Sequence, residues 1–175
     1  MSIWKDTNGG LHDDMDGAAL TMAAWPQGMT QLTDEQALAL QNPAPTLEQV
    51  QASQIAVITA DYQSAIAQPV SYTTVGGMTK TFQADAGSQD VLLQAIAGYN
   101  LVGDVPSGFY WLATDNTHVP FTLADLKGMY TVMLAQGWAA FQTRTTLKDE
   151  INAVAITATV TQAQAIAAVQ AIVWP

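Results

Sequence analysis

Pro69 separates two kinds of pattern. Before it, Ile55, Ile58, Tyr62 and Ile66 recur at steps of three and four residues, which marks one face of a helix. After it, Val70-Ser71-Tyr72-Thr73-Thr74-Val75 and Met78-Thr79-Lys80-Thr81-Phe82 alternate, with Gly76-Gly77 between them. The two glycines supply the positive φ of a tight two-residue hairpin turn. A chain that changes period at a proline builds a helix first and strands next. Thr46-Leu47-Glu48-Gln49 is a capping box that opens the helix, and Pro69 stops it after about Gln68. Its stripe suits packing on a partner helix or a sheet and is too short for a coiled coil.

The same reading continues to the end of the chain. Ser88 caps a helix through about Tyr99, and residues 103–108 form a loop. Phe109-Tyr110-Trp111-Leu112-Ala113-Thr114 is a strand by composition, Asp115-Asn116-Thr117 its turn, and His118-Val119-Pro120-Phe121 its return. Pro120 cannot donate to a ladder, so that return lies at an edge. Thr122-Leu123-Ala124-Asp125 opens the longest helix, with Leu123, Leu126, Tyr130, Met133, Leu134, Trp138 and Phe141 on its apolar face. Gly128 and Gly137 weaken that helix by about 1 kcal/mol each relative to alanine, which points to close packing or a kink. A last helix spans about 161–173. The expected fold is α+β: a small antiparallel sheet of two hairpins packed with helices, preceded by an irregular N-terminal region and an amphipathic helix.

Charge marks off the N-terminal third. Residues 1–61 hold eight acids and one base, whereas the remaining 114 hold seven acids and four bases. Asn8-Gly9-Gly10 and Trp25-Pro26-Gln27-Gly28 are turn signals, and Thr33 with Gln36 caps a short helix that Asn42-Pro43-Ala44-Pro45 ends. Three regions result: 1–45, acidic with short strands and one short helix; 46–68, the amphipathic helix; and 70–175, an α+β domain.

Composition then excludes whole classes of function. A net charge of −10 over 175 residues, with five scattered bases, cannot track a phosphate backbone or an anionic membrane surface. No apolar run reaches the ~18–20 residues of a membrane helix. The start, Met1-Ser2-Ile3-Trp4-Lys5-Asp6, lacks the apolar centre of a signal peptide, so the protein is expected to stay where it is made. The absence of cysteine removes disulfides, thiolate catalysis and cysteine zinc sites together.

Little in the sequence resembles reaction chemistry. His12-Asp13-Asp14-Met15-Asp16-Gly17 begins like a calcium loop, but no glutamate closes it, so it reads as a solvated acidic turn. His118 has no nucleophile or metal frame around it. Asp149 and Glu150 are adjacent on a helix and point apart. No catalytic residue, metal or cofactor is expected. Five tryptophans are a large amphipathic supply; Trp111 and Trp138 read as core, while Trp4, Trp25 and Trp174 read as interface anchors or as staples of the chain ends. An interface, if formed, would use Trp25, the Ile55/Ile58/Tyr62/Ile66 stripe and the hairpin carrying Trp111, Asp115 and Asn116. Asp115 and Asn116 also suit side-chain-to-backbone turn bonds.

Thr81-Phe82-Gln83-Ala84-Asp85, Ser88, the run from Gly108 to Thr117 and the run from Val119 to Leu126 resemble a bacteriophage-associated domain of unknown function found in or beside tail-fibre genes. The likeness covers about 70–175, including Ile172-Val173-Trp174. The first 68 residues are similar in style to phage tail-fibre assembly proteins, through Trp25-Pro26, the helix start at Thr33, Asn42-Pro43 and the helix containing Tyr62. These resemblances bring no catalytic residues. They imply an accessory that binds the tail-fibre protein and helps it fold, trimerise or attach, retained on the fibre tip or not. They also leave open a structural tail or baseplate component. The expected partner is a fibre chain, with homo-oligomerisation as a further option and neither nucleic acid nor membrane. The expected location is the host cytoplasm during assembly, or the virion tail.

Overall fold

Four-residue chemistry sets where three of the helices begin. In a computed structural model, which describes residues 2–14 and 28–175, Thr33, Thr122 and Thr161 each stand at an N-cap. Each threonine hydroxyl accepts the N–H three residues on, and the side chains of Gln36, Asp125 and Gln164 bond back to the cap backbone. The chain divides into two units, Met1–Thr46 and Leu47–Pro175.

In the first unit β1 (Ser2–Lys5), β2 (Leu11–Asp14) and β3 (Thr30–Gln31) form an antiparallel sheet in the order β2-β1-β3, followed by α1 (Asp34–Gln41). Asp6 makes the β1–β2 turn. Its carboxylate accepts the N–H groups of Asn8 and Gly10 at 2.8 and 2.7 Å and bonds His12 Nε2 at 2.8 Å. The His12 bond, then the Gly10 N–H, holds the Asp6 carboxyl below the usual range despite some desolvation. His12 therefore serves a turn. Asp16 and Trp25 lie outside the described residues.

The second unit is α+β: α2 (Leu47–Ile66), β4 (Val70–Thr73), β5 (Thr79–Phe82), α3 (Ala86–Val102), β6 (Tyr110–Leu112), β7 (His118–Pro120), α4 (Leu123–Ala153) and α5 (Gln162–Gln170). The hairpins β4–β5 and β6–β7 are separate two-stranded antiparallel ladders, joined where Thr114 N–H donates to the Thr81 carbonyl at 2.9 Å. Their loops share one design. Gly77 N–H bonds the Thr74 carbonyl and Asn116 N–H the Ala113 carbonyl, and Gly77 and Asn116 each sit at positive φ, 83° and 61°. Each loop is thus a three-residue connection ending in a left-handed residue. At Gly76-Gly77 this replaces the expected two-residue turn, because only the second glycine takes a positive φ.

Two apolar clusters hold this unit together. In one, Phe82, Val119 and Phe121 from the hairpins meet Leu92 of α3 and Leu126, Met129 and Met133 of α4. In the other, Val50 and Ile58 of α2 meet Ile151 of α4 and Val169 of α5. Gln51 and Gln54 of α2 tie the second cluster's rim, donating to the carbonyls of Ile151, Val154 and Ile172. α2 therefore belongs to the same unit as the hairpins and α4. The N-cap of α3 is Asp85, not Ser88: the Asp85 carboxylate accepts both the N–H and the hydroxyl of Ser88, at 3.1 and 2.6 Å.

Candidate functional site

Register decides which backbone groups of β6 are free to bind. Trp111 opposes Val119, Phe121 N–H donates to the Phe109 carbonyl at 3.2 Å, and Ala113 N–H donates to the Thr117 carbonyl at 3.0 Å. The odd-numbered residues thus bond across to β7, and Tyr110 and Leu112 turn their N–H and C=O groups to the opposite edge. Among the described residues no third strand pairs with that edge. Thr114, of the same parity, makes the single bond to Thr81.

A groove of about 760 Å³ lies along this edge. One wall is β6, where Phe109 and Trp111 from one face and Tyr110 and Leu112 from the other all contribute. Side chains of both faces line it because the groove meets the strand edge-on. The other wall is the chain from Gln83 to Ser88, with Val91 of α3 beside it. The two hairpins touch where Thr114 bonds Thr81, and the groove lies beside β6 on that side. A second groove, about 450 Å³, continues past Val91, Phe109 and Trp111 along α3. Tyr110 and Leu112 are exposed apolar side chains, and the Tyr110 ring stacks flat on His118 at 4.0 Å.

The charges nearby are few and structural. Asp85 is the one ionisable acid lining the larger groove, and its bond from the Ser88 hydroxyl, then from Ser88 N–H, holds its carboxyl low. Lys80 joins Asp115 at 2.7 Å and Thr117 Oγ1 at 3.2 Å where the hairpins meet. The Lys80 bond, then those from Thr117, pulls the Asp115 carboxyl well below the carboxylate range. Ser88 and Asp85 are committed to the α3 cap, and among the described residues no histidine, lysine or arginine lines the groove with them. Among the described residues no three histidine or acidic side chains gather to hold a metal, and no helix is long and apolar enough to cross a membrane.

The residues expected at an interface are dispersed. Trp111 is half-buried and lines both grooves. Asp115 and Asn116 build its hairpin loop: Asp115 accepts Thr117 N–H at 3.0 Å, and Asn116 supplies the left-handed residue. Ile58 is 0% exposed in the second cluster and Ile55 packs against it, so the upper part of the α2 stripe is internal core and not a partner surface. Tyr62 and Ile66, lower on the stripe, line a third groove of about 520 Å³ against α4. Trp25 lies outside the described residues.

Two features escaped sequence reasoning. Tyr110 and Leu112 were signalled by a run from Phe109 to Ala113 with no polar alternate, which leaves apolar side chains on both faces of a two-stranded ladder. Trp138, expected in the core, is 59% exposed, because Met129, Met133 and Ala140 take the inward positions of α4. It stacks on Phe141 at 5.7 Å, and the Arg144 guanidinium lies 4.7 Å over the Tyr62 ring and 5.7 Å over that of Phe141.

Residues 49–173 match the model of a family described as a domain of unknown function, DUF4376. The match spans most of the chain and falls within two residues of both ends of the second unit, so the chain belongs to that family. No curated protein and no solved structure matches it.

Proposed function

We propose that this DUF4376 chain is a non-enzymatic bacteriophage tail-fibre accessory that binds the fibre chain and assists its folding, trimerisation or attachment. The supporting observation is the unpaired outer edge of β6, with an apolar groove beside it. Fibre chains present long strand edges while they trimerise, and such edges aggregate unless covered. An edge with two free N–H and two free C=O groups, walled by aromatic side chains, is suited to accept one extended segment. The tail-fibre resemblance of the segments between Thr81 and Leu126 supports the choice of partner, and the end of β5, all of β6 and the α4 cap lie within those segments.

Co-expression tests the reading. A tail-fibre chain from the same phage is produced with and without this protein, and soluble trimer is measured by light scattering after size exclusion. Soluble fibre that requires this chain supports the assembly role. Equal trimerisation without it contradicts that role; a fixed, symmetric copy number in the virion would then identify a structural tail or baseplate component instead.

A further inference from the structure

The exposed face of α4 reads nearly the same in both directions. Lys127, Thr131, Leu134, Trp138, Phe141, Thr145 and Lys148 follow one another at steps of three and four residues, so they share one side of the helix. Thr131 and Thr145 lie seven residues either side of Trp138, Leu134 and Phe141 lie four before and three after, and a lysine ends the stripe at each side. Leu134, Trp138 and Phe141 are all exposed. Both threonine hydroxyls are spent on their own helix, donating to the carbonyls of Lys127 and Phe141 at 2.9 Å. Neither therefore brings an unmet donor to an apolar contact.

We propose that this face joins a second copy of the chain in an antiparallel, two-fold α4–α4 contact centred on Trp138. A two-fold interface requires a self-complementary surface, in which residue i meets j and j meets i. About Trp138, Leu134 meets Phe141 of the other copy, Thr131 meets Thr145, and Lys127 comes beside both Lys148 and Asp149. Charge does not oppose this contact. α4 carries Asp125, Asp149 and Glu150 against Lys127, Arg144 and Lys148, so it is neutral, and the net −10 of the chain is carried entirely elsewhere. A helix with no net charge adds no net repulsion between two copies that approach by it. A groove of about 520 Å³ opens beside Trp138, and no other element comes within 4 Å of where a Gly137 side chain would begin. Three apolar side chains expose much less than the ~800 Å² per partner of a standard interface, so the dimer is weak and concentration-dependent. This contact is independent of the β6 groove and of the fibre-accessory reading.

The lack of native cysteine makes the register measurable. Full-length Thr131→Cys and Thr145→Cys chains are oxidised mildly, alone and mixed. In the proposed register residue 131 faces 145 of the other copy, within disulfide reach, whereas two copies of residue 131 lie about 21 Å apart along the helix. The mixture should give about tenfold more disulfide-linked dimer than either variant alone, and Trp138→Glu in both chains should abolish the excess. Sedimentation of the unmodified chain should show mass rising with concentration. No excess in the mixture, efficient linking by either variant alone, or an excess unchanged by Trp138→Glu would each overturn the proposal.

Discussion

Asp125 is 1% exposed yet ionised, and it joins the β4–β5 loop to the start of α4. Its two oxygens accept Thr122 N–H at 2.9 Å, Thr122 Oγ1 at 2.6 Å, Val75 N–H at 2.7 Å and Tyr72 OH at 3.3 Å. Burial pushes its carboxyl up, but the Thr122, Val75 and Tyr72 donors together outweigh it and leave it below the usual value. The same burial, with the Asp125 charge, raises the Tyr72 phenol. Because the folded carboxyl titrates below the unfolded one, its stabilisation is complete above an unfolded pKa of about 3.9 and is lost as pH falls through the folded value. Asp125→Asn should therefore cost about 1.5–3 kcal/mol at neutral pH, and the gap between variant and parent should narrow below about pH 4. Urea denaturation across that range measures both; a gap that widens towards acid contradicts the assignment. Gly128 lies beside the same tyrosine. A Cβ there would collide with the Tyr72 hydroxyl and approach its ring carbons to 3.0 Å, whereas one at Gly137 meets nothing. At dilute protein concentration Gly137→Ala should stabilise α4 by up to about 1 kcal/mol, and Gly128→Ala should destabilise the fold despite the same gain in helix propensity. The opposite order in thermal denaturation would mean that Tyr72 does not pack on α4.

At the scale of elements, α2 was legible as an amphipathic helix but not in what its stripe faces. Periodicity locates a face and leaves its partner open, and here α4 and α5 of the same unit cover Ile58. Ile58→Ser should cost about 3–5 kcal/mol by leaving a cavity and an unmet hydroxyl, and it should shift the urea midpoint of the whole second unit. Unchanged unfolding with loss of partner binding would restore the stripe as an interface. The starts of α1, α4 and α5 were readable because a capping box is complete within four residues. The start of α3 was misplaced by three residues, since Asp85 and Ser88 are both capping types and only the backbone shows which one accepts. For α4 the sequence offered more apolar positions than one core needs. Neighbouring elements bury Leu126, Met129 and Met133 and leave Leu134, Trp138 and Phe141 outside. Strand pairing was the least local feature. That the two hairpins share a single backbone hydrogen bond among the described residues, from Thr114 N–H to the Thr81 carbonyl, depends on how both seat on α3 and α4.

For the molecule as a whole, the feature that the proposed role uses is the outer edge of β6 with an apolar groove beside it. The acid that lines the β6 groove, Asp85, is tied into the α3 cap, and elsewhere in the second unit Asp115 is tied into a loop ion pair and Asp125 into a buried anchor. Apart from Gln83 and Ser88, what else lines that groove is backbone and apolar surface. The proposed fibre-binding role therefore stands on two amides, those of Tyr110 and Leu112. Hydrogen exchange of the full chain, free and with its cognate fibre chain, reads them directly. The account predicts that both amides exchange at least about tenfold more slowly in the complex, while the amides of Trp111 and Ala113, already bonded across the β6–β7 ladder, change little. A fibre complex in which Tyr110 and Leu112 keep their free exchange rates, or the absence of any complex, would contradict it.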